Sequence, residues 1–260
     1  MSAYYVERVL SVYHWNESYF SFTCTRNDSL RFESGQFVTV GLWVDGGERA
    51  IVRAYSIASA NWEEHLEFFS IKIADGALTS RLQHLKVGDE VLISKKPTGT
   101  LVLDDLTPGE NLYLLGTGTG LAPFLSLTRD PRIYELFKKV ILVHGVRYIN
   151  DLAYYNHFTA ALPQHEYLGE MVKEKLLYYP LVSREPFKHE GRMTAGLETG
   201  RIPRELGLPA ISPEKDRAML CGSSAMLRDV SAVLEGFGLR VSPKRGEKGD
   251  YLLERAFADQ

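Results

Sequence analysis

The sequence predicts a β plus α/β fold: an N-terminal antiparallel β-barrel domain followed by a parallel-sheet α/β domain. Three observations carry that expectation. Short segments with a two-residue apolar rhythm fill the first hundred residues. Strand–helix alternation with continuous apolar strands fills the remainder. The chain has 260 residues, too long for one small core and comfortable for two compact domains. The expected division is 1–100 and 101–260.

In the first part, Phe20, Phe22 and Cys24 alternate with Ser21 and Thr23 along Tyr19–Thr25, the period of a half-buried strand. Similar segments are Val6–Val12, Phe37–Val40, Leu66–Ile73 and Glu90–Ser94. Turn signals separate them, among them Asn27-Asp28, Ser34-Gly35, Asp75-Gly76 and Gly88-Asp89. Many short strands at this spacing form a barrel or sandwich. One short helix is expected over Leu78–Leu85, started by the hydroxyls of Thr79 and Ser80. Beyond Pro97 the rhythm changes, and Asp104–Gly109 forms a connector. The strands Leu112–Leu115, Val140–Val143, Leu176–Val182 and Ala218–Cys221 then alternate with helices beginning near Pro123, around Leu152–Ala161, and over Ala225–Phe237. Apolar strands of this kind belong to a parallel sheet buried on both faces.

Bulk composition excludes several classes of function. Hydrophobic residues at 45% and charged residues at 24% make an ordinary globular chain. A net charge of −3 with scattered basic residues gives no electrostatic basis for nucleic-acid binding. Two cysteines, Cys24 and Cys221, are too few for an iron–sulfur cluster, which takes four thiolates. The seven histidines are dispersed without zinc spacing, so no metal site is expected. Glu7 and Arg8 interrupt the N-terminus where a signal peptide needs an apolar stretch, and no apolar run reaches the length of a membrane span. A cytoplasmic monomer without membrane attachment is the expectation.

Gly116-Thr117-Gly118-Thr119-Gly120 lies between a buried strand and a helix. Such a loop brings backbone N–H groups close to a phosphate. Pro123 suits the first helical turn, where its missing N–H costs nothing. Leu121 stands where GxGxxG would have its third glycine, so an ordinary Rossmann dehydrogenase is disfavoured. Ser183-Arg184 follows the strand Leu176–Val182, and Arg192 comes a short loop later. Arginine holds a phosphate through paired hydrogen bonds, so NADP is expected over NAD.

Arg53-Ala54-Tyr55-Ser56 is the sharpest signal in the barrel part. A flavin needs a cation for its pyrophosphate, a flat surface for its ring and a hydroxyl near N5. Strict strand alternation would send Arg53 and Tyr55 to one face and Ser56 to the other. The segment must therefore bend, or the cofactor must lie along its edge. Gly76-Ala77-Leu78-Thr79-Ser80 offers a second anion site at a helix start.

These segments resemble motifs of the ferredoxin–NADP reductase family. Arg53–Ser56 is similar to its RxYS flavin motif, Gly76–Ser80 to its second flavin segment, and Gly116–Pro123 to its GTGTGxAP loop. Cys221-Gly222-Ser223 resembles its CG motif beside the nicotinamide. The resemblance spans the chain and is strongest to the bacterial ferredoxin/flavodoxin–NADP reductases, through Arg53–Ser59, His144-Gly145-Val146-Arg147 and the ending Glu254-Arg255-Ala256-Phe257. It implies that Arg53 binds the FAD pyrophosphate, Ala54 belongs to the same flavin segment, Tyr55 packs on the isoalloxazine, and Ser56 bonds near N5. It implies that Gly76, Leu78, Thr79 and Ser80 hold the phosphates and that Thr119 lines the flavin–nicotinamide junction. It further implies that Gly116, Thr117, Gly118, Val146 and Arg147 contact NADP, with Ser183, Arg184 and Arg192 around its 2′-phosphate and Asp229 at the same nucleotide. Cys221, small and polarizable, is expected to pack against the nicotinamide as an inert thiol. By the same resemblance, Ala256 would lie over the flavin, where plant-type members end in a tyrosine that covers the ring, and Phe257 would stack on the adenine. Ser56, Cys221 and Ala256 are thus the catalytic candidates. The implied activity is hydride exchange between NADP(H) and FAD, with single electrons passed to ferredoxin or flavodoxin. Two other readings stay open: a reductase component serving an oxygenase, and a flavin-binding electron-transfer or regulatory subunit without nucleotide turnover.

Overall fold

A computed structural model of the chain describes residues 3–47 and 49–256. Six strands build the first sheet: β1 (Tyr4–His14), β2 (Tyr19–Thr25), β3 (Phe37–Val44), β4 (Arg49–Ser56), β5 (His65–Ile71) and β6 (Glu90–Ser94). Their order is β4-β3-β6-β1-β2-β5, and every pairing is antiparallel. Strands β4 and β5 stand at the two ends of this order, and a hydrogen bond between the Tyr55 and Ser70 hydroxyls, 3.2 Å, spans them. The inside is apolar: Phe20, Phe22 and Cys24 from β2 meet Val38, Val40, Leu66, Phe68, Val91 and Ile93. Helix α1 (Thr79–Leu82) contributes Leu82, with Leu78 just ahead of it.

The second sheet contains β7 (Asn111–Thr117), β8 (Lys139–Val146), β9 (Leu176–Val182), β10 (Asp216–Gly222) and β11 (Tyr251–Arg255), all parallel, in the order β11-β10-β7-β8-β9. Around it lie α2 (Ala122–Thr128), α3 (Pro131–Leu136), α4 (Gly169–Lys175), α5 (Met193–Glu198), α6 (Arg201–Glu205) and α7 (Ser224–Gly236). Alternation splits each apolar strand between two cores. Leu112, Leu114, Val140 and Leu142 enter one, while Tyr113, Leu115, Ile141 and Val143 enter the other. From β7 the chain winds outward through β8 and β9, then crosses back to β10 and β11 on the other side. The crevice past the ends of β7 and β10 is therefore a topological switch point, where open α/β sheets bind ligands.

The two parts share a core. Ala58 and Phe69 of the barrel lie in the same apolar cluster as Leu121, Phe124 and Cys221. This explains why β2 and β5 are not solvated on their outer faces: Ser21 is buried and accepts a hydrogen bond from Trp15 Nε1, 3.1 Å.

Two local expectations are corrected. Helix α1 covers only four residues, its N-cap is Leu78, and no side chain caps it; the Thr79 hydroxyl instead donates to the Ile73 carbonyl at 3.4 Å. The segment around Leu152–Ala161 is not one helix. It is a 3-10 turn, Ile149–Asp151, followed by a π-turn, His157–Ala161, with Tyr154 between them at φ 61°. Tertiary contact overrides helical propensity here. The Tyr154 hydroxyl donates to Glu67 Oε1 at 2.8 Å, and its ring packs on Trp15 and Phe69, with centroids 4.4 and 5.2 Å apart.

Candidate active site

A cleft of about 330 Å³ opens along β4 where the barrel meets the second sheet. Arg53, Ala54, Tyr55 and Ser56 all line it. Strand β4 stands at the end of the strand order, so the backbone along its free edge is open to the cleft while its side chains still alternate. Tyr55 is held by Ser70, and burial raises its phenol pKa, so it is neutral. The Arg53 guanidinium is exposed and donates to the Val52 carbonyl at 2.8 Å. Leu78 and Thr79 line the far side. Gly76 and Ser80 belong to the turn behind them, where the Ser80 N–H donates to the Gly76 carbonyl at 3.1 Å.

Thr119 and Ala256 close the cleft from the second sheet. The Thr119 hydroxyl is buried without a hydrogen-bond partner among the described residues, a state that native structures rarely tolerate unless a ligand satisfies the group. A cation, neutral hydroxyls, an aromatic face and one orphaned donor fit a flavin's pyrophosphate, polar ring edge and ring plane. Phe257 lies outside the described residues.

The glycine loop and the Cys221-Gly222 turn interlock at the switch point. A Cβ on Gly120 would meet the Cys221 carbonyl oxygen at 2.2 Å, and one on Gly222 would meet the Thr117 hydroxyl at 2.4 Å. Only glycine permits this approach, which sets Cys221 beside Gly116 in the β7–β10 register. Burial, with Glu254 adding to it, pushes the Cys221 thiol well up, so it is a neutral packing group.

Sequence patterns gave no role to Glu254, Phe69 or Ile73. The last two line the cleft. Glu254 is the register partner of Cys221, and its Oε2 accepts the Thr100 N–H at 2.9 Å. Burial pushes its carboxyl up to about 7, against the pull of Thr100. The available signal was an acidic residue ending the apolar run Tyr251-Leu252-Leu253. The final strand β11 itself was not foreseen.

The phosphate-binding candidates converge at the ends of β8 and β9. The Ser183 hydroxyl and N–H both donate to the Val146 carbonyl at 3.1 Å, and the Arg184 N–H donates to the Arg147 carbonyl at 2.9 Å. Gly191 N–H bonds the Val182 carbonyl at 2.9 Å, which returns Arg192 to the same corner. Arg147, Arg184 and Arg192 are exposed, and none forms an ion pair with a described residue. Asp229 sits on α7 in a neighbouring groove with Thr194 of α5, where its carboxylate accepts from Arg228 Nε at 3.0 Å.

Known proteins match both parts of the chain. Residues 9–102 match the oxidoreductase FAD-binding domain family and residues 114–232 the oxidoreductase NAD-binding domain family. A ferredoxin–NADP reductase of Pseudomonas aeruginosa is 62% identical over 260 residues, covering 100% of both chains. The chain belongs to the ferredoxin–NADP reductase family. Its FAD-dependent NADP(H) oxidoreductase activity follows from that membership. A second ferredoxin–NADP reductase, from Azotobacter vinelandii, is also 62% identical over the full length of both chains. A solved ferredoxin NADP+ reductase from Neisseria gonorrhoeae, with bound FAD and NADP, superposes at a TM-score of 0.88 with 30% identity, covering 99% of this chain and 100% of that one. Among the described residues of this family member, no helix is long and apolar enough to cross a membrane, and no cluster of three or more His, Cys, Asp or Glu could hold a metal.

Proposed function

We propose that the chain exchanges electrons between NADP(H) and ferredoxin or flavodoxin, with the β4 cleft holding FAD and the switch-point crevice receiving the nicotinamide. One observation carries the reading: the Thr119 hydroxyl, buried and without a partner among the described residues, lies where the flavin-type residues of β4 meet the glycine loop. Bound FAD supplies the conversion between a hydride pair and single electrons. The chain's own residues bind and orient. Arg53 offers charge-assisted hydrogen bonds to the pyrophosphate, Tyr55 gives a flat neutral face, and Ser56 and Thr119 donate at the ring edge. Cys221 supports the nicotinamide from the β10 end, and positioning of this kind supplies much of the rate in transfer between bound partners. Glu254, behind Cys221, is a carboxyl that can hold a proton near neutrality. Arg147, Ser183, Arg184 and Arg192 form the 2′-phosphate corner and favour NADP over NAD. Two buried free cysteines suit a reducing cytoplasm.

The deciding experiment is anaerobic titration of the purified flavoprotein. Rapid bleaching by NADPH with slow bleaching by NADH is expected. Equal bleaching would remove the 2′-phosphate assignment, and failure to take up FAD would remove the cleft assignment.

A further inference from the structure

One barrel side chain reaches across to the nucleotide loop. Tyr19 opens β2, and its ring packs on Phe69, centroids 5.4 Å apart. Its hydroxyl lies over the glycine loop: a Cβ built on Gly118, at φ 55°, would stand 3.2 Å from that oxygen, with no other described atom beyond its chain neighbours within 4 Å. Arg147 and Asp151 are the charges it feels.

The placement of Tyr19 is fixed by both halves of the molecule. Asn16 Oδ1 accepts the Ser18 and Tyr19 N–H groups at 2.7 and 2.8 Å, while Asn16 Nδ2 donates to the Asn150 carbonyl at 2.6 Å. The Asp151 carboxylate is already engaged, by the Tyr148 N–H at 3.2 Å and by Asn16 Nδ2 at 3.4 Å. The Tyr19 hydroxyl forms no hydrogen bond with a described residue. Burial pushes the phenol up to about 12, so it is a donor throughout the working pH range. A held donor thus stands over glycine backbone, with the Arg147 charge near enough to act on it.

The same point lies on the path between two ends of one ligand. The 2′-phosphate corner is at the ends of β8 and β9, the nicotinamide position is at β7 and β10, and Arg147 stands between them at the end of β8. The bridging part of a dinucleotide is an acceptor-rich diphosphate. We propose that the Tyr19 hydroxyl donates a hydrogen bond to the NADP(H) diphosphate as it crosses Gly118, which makes Tyr19 a dinucleotide-binding residue supplied by the flavin-side barrel. The inference rests on the NADP(H) reading above and deepens it.

Tyr19→Phe keeps the ring on Phe69 and removes only the donor. Calorimetric titration of the FAD-loaded protein should show NADP+ binding weakened about tenfold, the scale of one hydrogen bond to a charged group. Binding of adenosine 2′-monophosphate, which has no 5′-phosphate and so no part of the diphosphate, should stay at the wild-type value, as should the thermal midpoint. Unchanged NADP+ affinity would overturn the proposal. Equal weakening of both ligands would also overturn it, because the hydroxyl would then be acting on the whole domain seam. Wild-type protein that bound neither ligand would sink the NADP(H) reading itself, and that failure is visible before any variant is made.

Discussion

The Arg53 guanidinium, exposed and bonded only to the adjacent Val52 carbonyl among described partners, contributes little to the fold and is available to a phosphate. Arg53→Ala should therefore weaken FAD binding roughly 10- to 100-fold, the equivalent of about 1.5–3 kcal/mol for a charged hydrogen bond, with the thermal midpoint of the FAD-free protein unchanged. Fluorescence titration of the apoprotein with FAD checks this; retained affinity would move the pyrophosphate elsewhere. Glu254 makes the opposite kind of residue-scale prediction. Its folded-state pKa is raised from 4.5 to about 7 by burial, so it costs nothing below pH 4.5. Stability then declines as pH rises towards 7, where the buried group must ionise. Glu254→Gln removes that titration while keeping an oxygen for the Thr100 N–H. The variant's thermal midpoint should gain on the wild type between about pH 4.5 and 7 and hold a constant advantage above. A pH-independent difference would show that the carboxyl does not titrate in that window.

Among the elements, the strand-to-helix turn after β7 carries the tightest constraint. Gly120 brings that turn within van der Waals contact of the Cys221 carbonyl, and the added methyl of Gly120→Ala would meet it at 2.2 Å. Backbone must shift, because neither partner is a flexible side-chain end. A loss of about 1–3 kcal/mol is expected, as for other overpacked sites, together with weaker NADP+ binding, since the shift separates the glycine loop from the Cys221-Gly222 turn. Thermal unfolding and NADP+ titration measure the two effects. Wild-type values for both would mean that the close approach is not needed. Element β4 shows how far local pattern can go: Arg53–Ser56 carries the pattern of the proposed flavin segment, and the fold adds that all four residues line one cleft on a strand at the end of the strand order.

For the molecule as a whole, the decisive contact is the seam between barrel and α/β part. Arg129, just after α2, bonds Glu67 of β5 at 2.7 Å and approaches Glu63 at 3.4 Å, with all three side chains largely buried. Burial alone would raise the Glu67 carboxyl, but Arg129 and the Tyr154 hydroxyl hold it below the usual carboxylate range. Replacing Arg129 by Met strands a buried carboxylate, which typically costs about 3–5 kcal/mol. The variant should unfold at lower temperature and transfer electrons from NADPH more slowly, because Phe69 lines the cleft and packs on Tyr154 from the other side of the seam. Stopped-flow flavin reduction beside thermal unfolding tests both; an unchanged rate would uncouple the seam from the site.

Much of this protein is local and therefore legible in its sequence. Alternation in Tyr19–Thr25, continuous apolar runs such as Leu176–Val182, the glycine loop and Arg53–Ser56 depend on a residue and its near neighbours, and each of these occurs as a strand or loop of the expected kind. Contacts across the chain were decided only by tertiary structure. Tyr154 left helical geometry because Glu67, 87 residues earlier, offered its hydroxyl a buried partner. Glu254 acquired its raised pKa because β11 pairs beside β10 and removes it from water. Tyr19, an ordinary strand residue by pattern, placed its hydroxyl over Gly118, with no hydrogen-bond partner among the described residues, only when two separate sheets met. Propensity acts over a few residues, whereas burial and charge pairing depend on which distant segments the fold brings together.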